Sequence, residues 1–246
     1  MSIETPDELE RLRAAGRVVA EAIRAMHAHA RAGVTTGELD KIGGRVFARA
    51  GARSGPQLDY GFPGVNCISV NDEAVHGIPG KRRLRNGDLV KLDVTAELDG
   101  FYADACISVP VGDAAPSVRR LAVASRTALN RALATARSGV PINQIGRAIE
   151  ATVTEHGYAV CRDLMGHSIG RRIHEPPNIP SYEARGFSQP LTEGLVITIE
   201  PIIAAGDGAV RDTRDGWTIK TQDGGYSAHT EHTIVVTGGA PLILTA

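Results

Sequence analysis

The spacing of hydrophobic residues predicts that the chain begins with two helices. From about residue 6 to residue 30, hydrophobic residues recur at helical spacing with charged residues between them: Leu9, Leu12, Val19, Ile23 and Met26. Thr35 is followed three residues later by Glu38, the pattern of a capping box. This pair predicts the start of a second helix, which ends near Gly51.

Strands and one further pair of helices are predicted for the rest of the chain. A β-rich region extends from about Cys67 to Val111. Residues 117–138 predict a long helix, and residues 142–156 predict a shorter one. The remaining residues favour strands and loops, with two apolar runs: Leu195–Ile199 and Thr233–Val236.

The two helix pairs carry an internal repeat. Residues 31–34 (Arg-Ala-Gly-Val) recur at 137–140 as Arg-Ser-Gly-Val, an offset of 106 residues. The same offset aligns Leu39 with Ile145 and Gly51 with Gly157, although so few matches of common residues also arise by chance. We expect one domain over residues 1–246, made of two similar halves at about 1–112 and 113–246, with a site between them.

The composition is that of an ordinary globular protein. The 246 residues are 42% hydrophobic and 22% charged with a net charge of −1, so no global positive field favours nucleic acid or an anionic membrane. No stretch approaches the roughly 18 apolar residues of a membrane span, and the N-terminus lacks a secretory pattern. The cysteines (Cys67, Cys106 and Cys161) form no Cys-x-x-Cys pair. We expect a cytoplasmic monomer without nucleic-acid or membrane partners.

A predicted β-hairpin carries two aspartates on one face. Asp99-Gly100 between two β-rich runs is a strong signal for a two-residue loop. This loop puts Asp93 opposite Cys106 and Asp104 diagonally from Asp93, with both carboxylates on one face about 7–8 Å apart. Such a pair would hold two cations about 3.5–4 Å apart. Solvated carboxylates are the simpler interpretation of a lone hairpin, but apolar neighbours make uncompensated charges costly here.

Three further candidate metal donors lie downstream. His167 occurs in a segment rich in glycine and histidine, Glu200 follows one apolar run, and Glu231 precedes another. Each of these residues alone is more often structural. Together with the two aspartates they provide four carboxylates and an imidazole, which suit a dinuclear site for divalent first-row metals.

A serine-hydrolase motif is present only formally. Residues 166–170 match Gly-x-Ser-x-Gly, with Ser168 at the nucleophile position. That motif requires a helix directly after the serine, and Pro176-Pro177 leave little room for one. No upstream glycine cluster offers an oxyanion hole, and His-Glu-x-x-His is absent. Aspartates and histidines downstream leave a triad formally open, but we favour metal-assisted chemistry.

Several longer segments, in the same order and at matching spacing, resemble type I methionine aminopeptidases over nearly the whole chain. The matching segments are Asn71–Gly80, Gly87–Val94, Gly100–Asp104, Gly166–His167 with Ile169–Gly170 and His174–Glu175, Ile199–Pro201, and Ser227–Val236. The resemblance implies an α/β pita-bread fold, in which two pseudo-symmetric halves pack helices around a curved, mainly antiparallel sheet. It implies a metalloaminopeptidase that removes the initiator methionine from the N-termini of nascent polypeptides. Docking at the ribosome stays open.

The resemblance also assigns a ligand set. It implies two divalent metal ions held by five residues: Asp93, Asp104, His167, Glu200 and Glu231. Asp104 and Glu231 would bridge the ions. Co²⁺, Mn²⁺, Fe²⁺ and Zn²⁺ all tolerate these donors, so the sequence does not identify the metal.

Catalytic and substrate-binding roles follow from the same resemblance. Glu200 would take up and return a proton, while His76 and His174 would contact the peptide without binding metal. An apolar slot for the methionine side chain would be lined by three residues: Phe62, Cys67 and Trp217. Core packing is an equally ordinary interpretation of Phe62 and Cys67.

Three positions depart from the family's usual residues, and two alternative functions stay open. Ser168 replaces a glycine, Ile173 a frequent phenylalanine, and Asp59 a frequent aromatic residue. The last two replacements alter the expected shape of the pocket and with it the substrate range. A proline-type aminopeptidase of the same fold usually carries an extra N-terminal domain, and only about 60 residues precede Phe62. A non-catalytic binding protein of this fold typically loses ligands, whereas all five are present.

Overall fold

Five helices and fifteen strands make up the fold in the computed structural model, which describes residues 1–246. The helices are α1 (Pro6–His27), α2 (Thr36–Ala50), α3 (Gly55–Tyr60), α4 (Pro116–Thr135) and α5 (Ile142–Glu155). The first eight strands are β1 (Arg53–Ser54), β2 (Cys67–Val70), β3 (Glu73–Val75), β4 (Leu89–Leu98), β5 (Phe101–Pro110), β6 (Ala159–Val160), β7 (Met165–Ser168) and β8 (Glu175–Pro180). The others are β9 (Val196–Ile199), β10 (Ile202–Ala204), β11 (Val210–Asp212), β12 (Ile219–Thr221), β13 (Ser227–His229), β14 (Glu231–Val235) and β15 (Leu242–Ile243).

Capping chemistry sets the ends of the first helices. The predicted capping box of α2 is confirmed: the Glu38 amide donates to Thr35 Oγ1 at 3.1 Å, and the Thr35 amide donates to the Glu38 carboxylate at 2.7 Å. Thr5 and Glu8 form a second capping box at the start of α1, which we did not predict. Gly51 ends α2 with a left-handed φ of 71°. The four predicted helices are present, each ending within a turn of its predicted boundary.

A nine-stranded sheet forms the centre of the fold. Its main path runs β1-β4-β5-β14-β9-β7-β8, with β2 paired to β4 and β15 paired to β14. All these pairs are antiparallel. The β4–β5 hairpin pairs Leu98 with Phe101 and Asp93 with Cys106, so the predicted register is confirmed. Two three-stranded sheets, β13-β10-β6 and β11-β12-β3, flank the central sheet.

Two large hydrophobic clusters form the core. In one cluster, α1 and α2 pack against β2, β4 and β5. In the other, α4 and α5 pack against β9 and its neighbours. A smaller cluster that includes Leu12, Phe101 and Ile169 joins α1 to the central sheet. Each predicted helix pair therefore has its own core, while the boundary near residue 112 stays a prediction. None of the helices combines the length and hydrophobicity needed to cross a bilayer.

Candidate metal centre

Five neighbouring strands of the central sheet each bring one predicted metal donor to the same cavity. Asp93 belongs to β4, Asp104 to β5, Glu231 to β14 and His167 to β7, while Glu200 directly follows β9. These strands are consecutive in the sheet, in the order β4-β5-β14-β9-β7. All five side chains line a cavity of about 520 Å³. The structure therefore brings together the whole predicted set.

Hydrogen bonds orient the imidazole and one carboxylate. The Nδ1 atom of His167 lies 3.0 Å from the carbonyl oxygen of Ser168. Because a carbonyl only accepts, Nδ1 is the donor in this contact, and Nε2 is the nitrogen left available to the cavity. This Nε2 atom lies 3.6 Å from Glu200 Oε1, which also accepts a hydrogen bond from Thr198 Oγ1 at 3.1 Å.

Burial and mutual repulsion disfavour the ionised form of three carboxylates. Burial, and then the charge of Glu200, raise the pKa of Asp104 to about 7. Burial and the neighbouring carboxylates also raise the pKa values of Asp93 and Glu231 well above their ordinary range. Burial raises the pKa of Glu200 too, but the His229 and His167 rings and Thr198 outweigh it and hold that pKa below its ordinary value.

The donor chemistry fits divalent cations. The Asp104 Oδ1 atom is buried without a hydrogen-bond partner. Buried carboxylates that repel one another are stabilised when a cation compensates their charge. Two groups of three side chains each place donor atoms within 4.8 Å of one another: Asp104, His167 and Glu231, and Glu200, His229 and Glu231. Oxygen and imidazole donors in this arrangement suit first-row divalent metals.

His229 is a site residue that we did not predict. It precedes Glu231 by two residues, and residues two apart along extended backbone face the same side. This alternation of side chains was the sequence signal that could have identified His229. The alternation is interrupted, because β13 ends at His229 and β14 begins at Glu231.

Two further histidines line the cavity beside the donors. Burial lowers the pKa of His76. His174 has an exposed edge, but desolvation by the residues packed around its ring lowers its pKa to about 4, so both rings are neutral near pH 7. The His174 ring packs edge-on against His167, with centroids 4.2 Å apart. The Tyr60 hydroxyl forms a 2.6 Å hydrogen bond with His174 Nδ1, a contact that we did not predict.

Apolar side chains line the cavity beside the donors. Phe62 and Trp217 meet edge to face, with centroids 5.2 Å apart, and Cys67 and Ile173 line the same cavity. The backbone amide of Trp217 donates to Asp215 Oδ1 at 2.8 Å, which fixes the turn that carries the indole. The predicted slot residues therefore lie together, beside the metal-donor cluster.

Asp59 and Ser168, two of the three departures from the family pattern, form hydrogen bonds within the protein. Asp59 accepts hydrogen bonds from the Tyr102 hydroxyl at 2.9 Å and from the Ile173 amide at 3.2 Å, so it anchors the loop before His174. It does not line the cavity, where Tyr60 stands instead. Ser168 is fully buried and donates to the Val196 carbonyl at 2.8 Å.

The structure does not form a nucleophile elbow at Ser168. This serine ends β7, and strand β8 follows after a short loop, where the elbow requires a helix. The Ser168 hydroxyl is engaged with the backbone and does not line the cavity. The preference for metal chemistry over a serine triad is therefore supported by the fold.

Fold and site together define a metal-dependent peptidase. Carboxylates and an imidazole converge from one antiparallel sheet, and apolar side chains line the same cavity, which has room for a substrate side chain.

The chain belongs to metallopeptidase family M24, whose model matches residues 10–238. It is 42% identical over 247 residues to methionine aminopeptidase 2 of Bacillus subtilis (strain 168), with 100% of this chain and 99% of the relative covered. The crystal structure of methionine aminopeptidase from Rickettsia prowazekii matches with a TM-score of 0.95 at 37% identity and covers 100% of both chains. The predicted family and pita-bread fold are confirmed.

Prolidases share the fold at a greater distance. Prolidase from Pyrococcus furiosus matches with a TM-score of 0.77 at 23% identity, and the match covers 99% of this chain but 65% of that one. This likeness concerns the fold alone.

Proposed function

We propose that this chain removes methionine from the N-terminus of polypeptides by metal-dependent hydrolysis, with two divalent ions held by Asp93, Asp104, His167, Glu200 and Glu231. The observation that carries the proposal is the cluster of these donors beside apolar side chains in one cavity of about 520 Å³. Two divalent cations would balance the negative charge of four ionised carboxylates, which supports a dinuclear site.

The chain's own residues would move the proton of the attacking water. When bound, the metal ions supply a water nucleophile that is acidic near neutral pH and polarise the scissile carbonyl. The low pKa of Glu200 keeps this carboxylate ionised, so it is able to accept a proton from that water. The same carboxylate would then return the proton to the leaving amine.

His174 would stabilise charge on the scissile carbonyl oxygen. Since its pKa of about 4 leaves this ring neutral near pH 7, only one of its nitrogens carries a hydrogen. When the Tyr60 hydroxyl donates to Nδ1, the hydrogen lies on Nε2, where it is available to the substrate. His76, on another wall of the cavity, would contact the peptide beyond the bond that is cut.

Specificity would come from two parts of the cavity: the apolar side chains that line it and the metal site beside them. Phe62, Cys67 and Trp217 would enclose an unbranched thioether side chain, which adapts to irregular apolar surfaces. The free α-amine of the substrate, in its neutral form, would bind one of the metal ions, which favours an exopeptidase. We propose nascent polypeptides as substrates; the cytoplasmic location and the monomeric state stay predictions.

A peptide assay tests the proposal against both alternatives. Peptides that begin with Met, Pro or Ala are incubated with protein stripped of metal, before and after addition of Mn²⁺ or Co²⁺. We expect release of methionine alone, and only with metal. Preferred cleavage of a proline peptide would favour the proline-type enzyme, and no cleavage with any metal would favour a binding protein.

A matched pair of variants in one hairpin controls for folding. Asp104→Asn removes a proposed ligand and should abolish metal-dependent release. Asp99→Asn makes the same chemical change in the loop, where φ is 49° and asparagine is well tolerated, and should retain activity. Equal activity in the two variants would contradict the proposed role of Asp104.

A further inference from the structure

His229 lies among the proposed metal ligands and is not one of the five. Its side chain is 3% exposed, and neither ring nitrogen has a hydrogen-bond partner. Its Nε2 atom lies 3.4 Å from Glu200 Oε2 and 3.7 Å from Glu231 Oε2. A buried imidazole that faces two carboxylate oxygens without bonding to either requires an explanation, because unpaired polar atoms are costly to bury.

The separations fit donors arranged around one cation. Donor atoms about 2.0–2.2 Å from a shared first-row metal ion lie about 3–3.7 Å apart at bond angles of about 90–115°. An N–H···O hydrogen bond is shorter, about 2.7–3.2 Å. The contacts of His229 at 3.4 and 3.7 Å fall in the first range, as does the 3.6 Å between His167 Nε2 and Glu200 Oε1.

The backbone of His229 is held from both sides. Its amide donates to Ser108 Oγ at 2.9 Å, and this hydroxyl donates back to the His229 carbonyl at 2.8 Å. On the other edge, His229 pairs with Ile202 of β10. Two residues earlier, the buried Lys91 ammonium donates to the Ser227 carbonyl at 3.1 Å. These backbone contacts hold the imidazole beside the carboxylates. A metal donor that is held in position before the ion binds is preorganised in the same way.

We propose that His229 Nε2 is a sixth metal donor, which shares a cation with Glu200 and Glu231. The inference rests on the proposed metal-dependent function and extends its ligand set. Glu200 then stands between two imidazoles, with Oε1 towards His167 and Oε2 towards His229. A second nitrogen donor favours Co²⁺, Fe²⁺ or Zn²⁺ over ions that prefer an all-oxygen environment.

Proton NMR of the full-length protein loaded with Co²⁺ tests the inference. The ring N–H proton of a cobalt-bound imidazole is shifted far outside the diamagnetic range and disappears in D₂O. We expect two such resonances in the wild type, one in His229→Gln and one in His167→Gln. His232→Gln is the matched control, because His232 is a half-buried histidine of β14 whose Nδ1 bonds to Thr245 Oγ1 at 2.9 Å. It should retain both resonances.

The wild-type spectrum keeps the inference falsifiable even where a variant fails to fold. One shifted imidazole resonance in cobalt-loaded wild type, or two that both persist in His229→Gln, would overturn the inference while leaving the metal-dependent function intact. Failure of the wild type to bind Co²⁺ in a calorimetric titration would overturn the proposed function as well. The same titration should show weaker Co²⁺ binding by His229→Gln, by tenfold or more, and no change in His232→Gln.

Discussion

The metal-free protein should lose stability as the pH rises from about 4 to about 7, and Asp104 should account for much of the loss. The pKa of this carboxyl rises from 3.8 to about 7 on folding, chiefly through burial. Its folded form therefore keeps a proton that the unfolded chain has already released above pH 4. The stabilisation is fully present below the unfolded pKa and is lost as the pH passes through about 7.

The size of the effect follows from the two pKa values. At about 1.4 kcal/mol per pKa unit, the step from 3.8 to about 7 corresponds to about 4 kcal/mol of unfolding free energy. For a chain of 246 residues this is about 8–16 °C in Tm, at about 2–4 °C per kcal/mol. Asp93 and Glu231 shift in the same direction, so they add to the loss.

Urea unfolding between pH 4 and pH 8 in the presence of a chelator measures the effect. The unfolding free energy of the wild type should fall relative to that of Asp104→Asn, because the amide does not titrate. Subtracting the two curves removes the contribution of titrating groups outside the site. Asp99→Asn should follow the wild type. Parallel curves for the wild type and Asp104→Asn would refute the reasoning.

Three further predictions concern turnover and specificity. His174→Ala should lower kcat by about 10²–10⁴-fold while the metal content, measured by atomic absorption, stays at the wild-type value; loss of metal would contradict a non-ligand role. Tyr60→Phe should lower kcat by about tenfold with little change in KM, since it removes one hydrogen bond that orients His174; an unchanged kcat would show that the bond does not matter. Trp217→Ala should lower kcat/KM for a Met-Ala peptide by about 10–200-fold with metal content unchanged, through lost contact with the side chain; equal kcat/KM values would place the slot elsewhere.

Local signals predicted the parts of the site that lie within one hairpin. Asp99-Gly100 fixed the β4–β5 register, and alternation then placed Asp93 and Asp104 on one face. The convergence of His167 and Glu231 with this pair depends on the order of strands in the sheet. No local pattern contains that order, so it came from the family resemblance and not from the spacing of residues.

Contacts between distant segments explain what the sequence did not predict. Helix α3 has only six residues, too few to show a hydrophobic period, and it was missed. The bond from Tyr60 to His174 spans 114 residues, and Asp59 is similarly distant from Ile173. Asp59 therefore appeared to be a substitution in the pocket, whereas the structure uses it to hold the loop that carries His174.

Anomalous diffraction from crystals soaked in Mn²⁺ tests the central claim most directly. We predict two strong peaks between the carboxylates of Asp93, Asp104 and Glu231, with Glu200 and His167 completing the cluster. Manganese bound only at the surface, in a protein that still releases methionine in the presence of a chelator, would contradict the account.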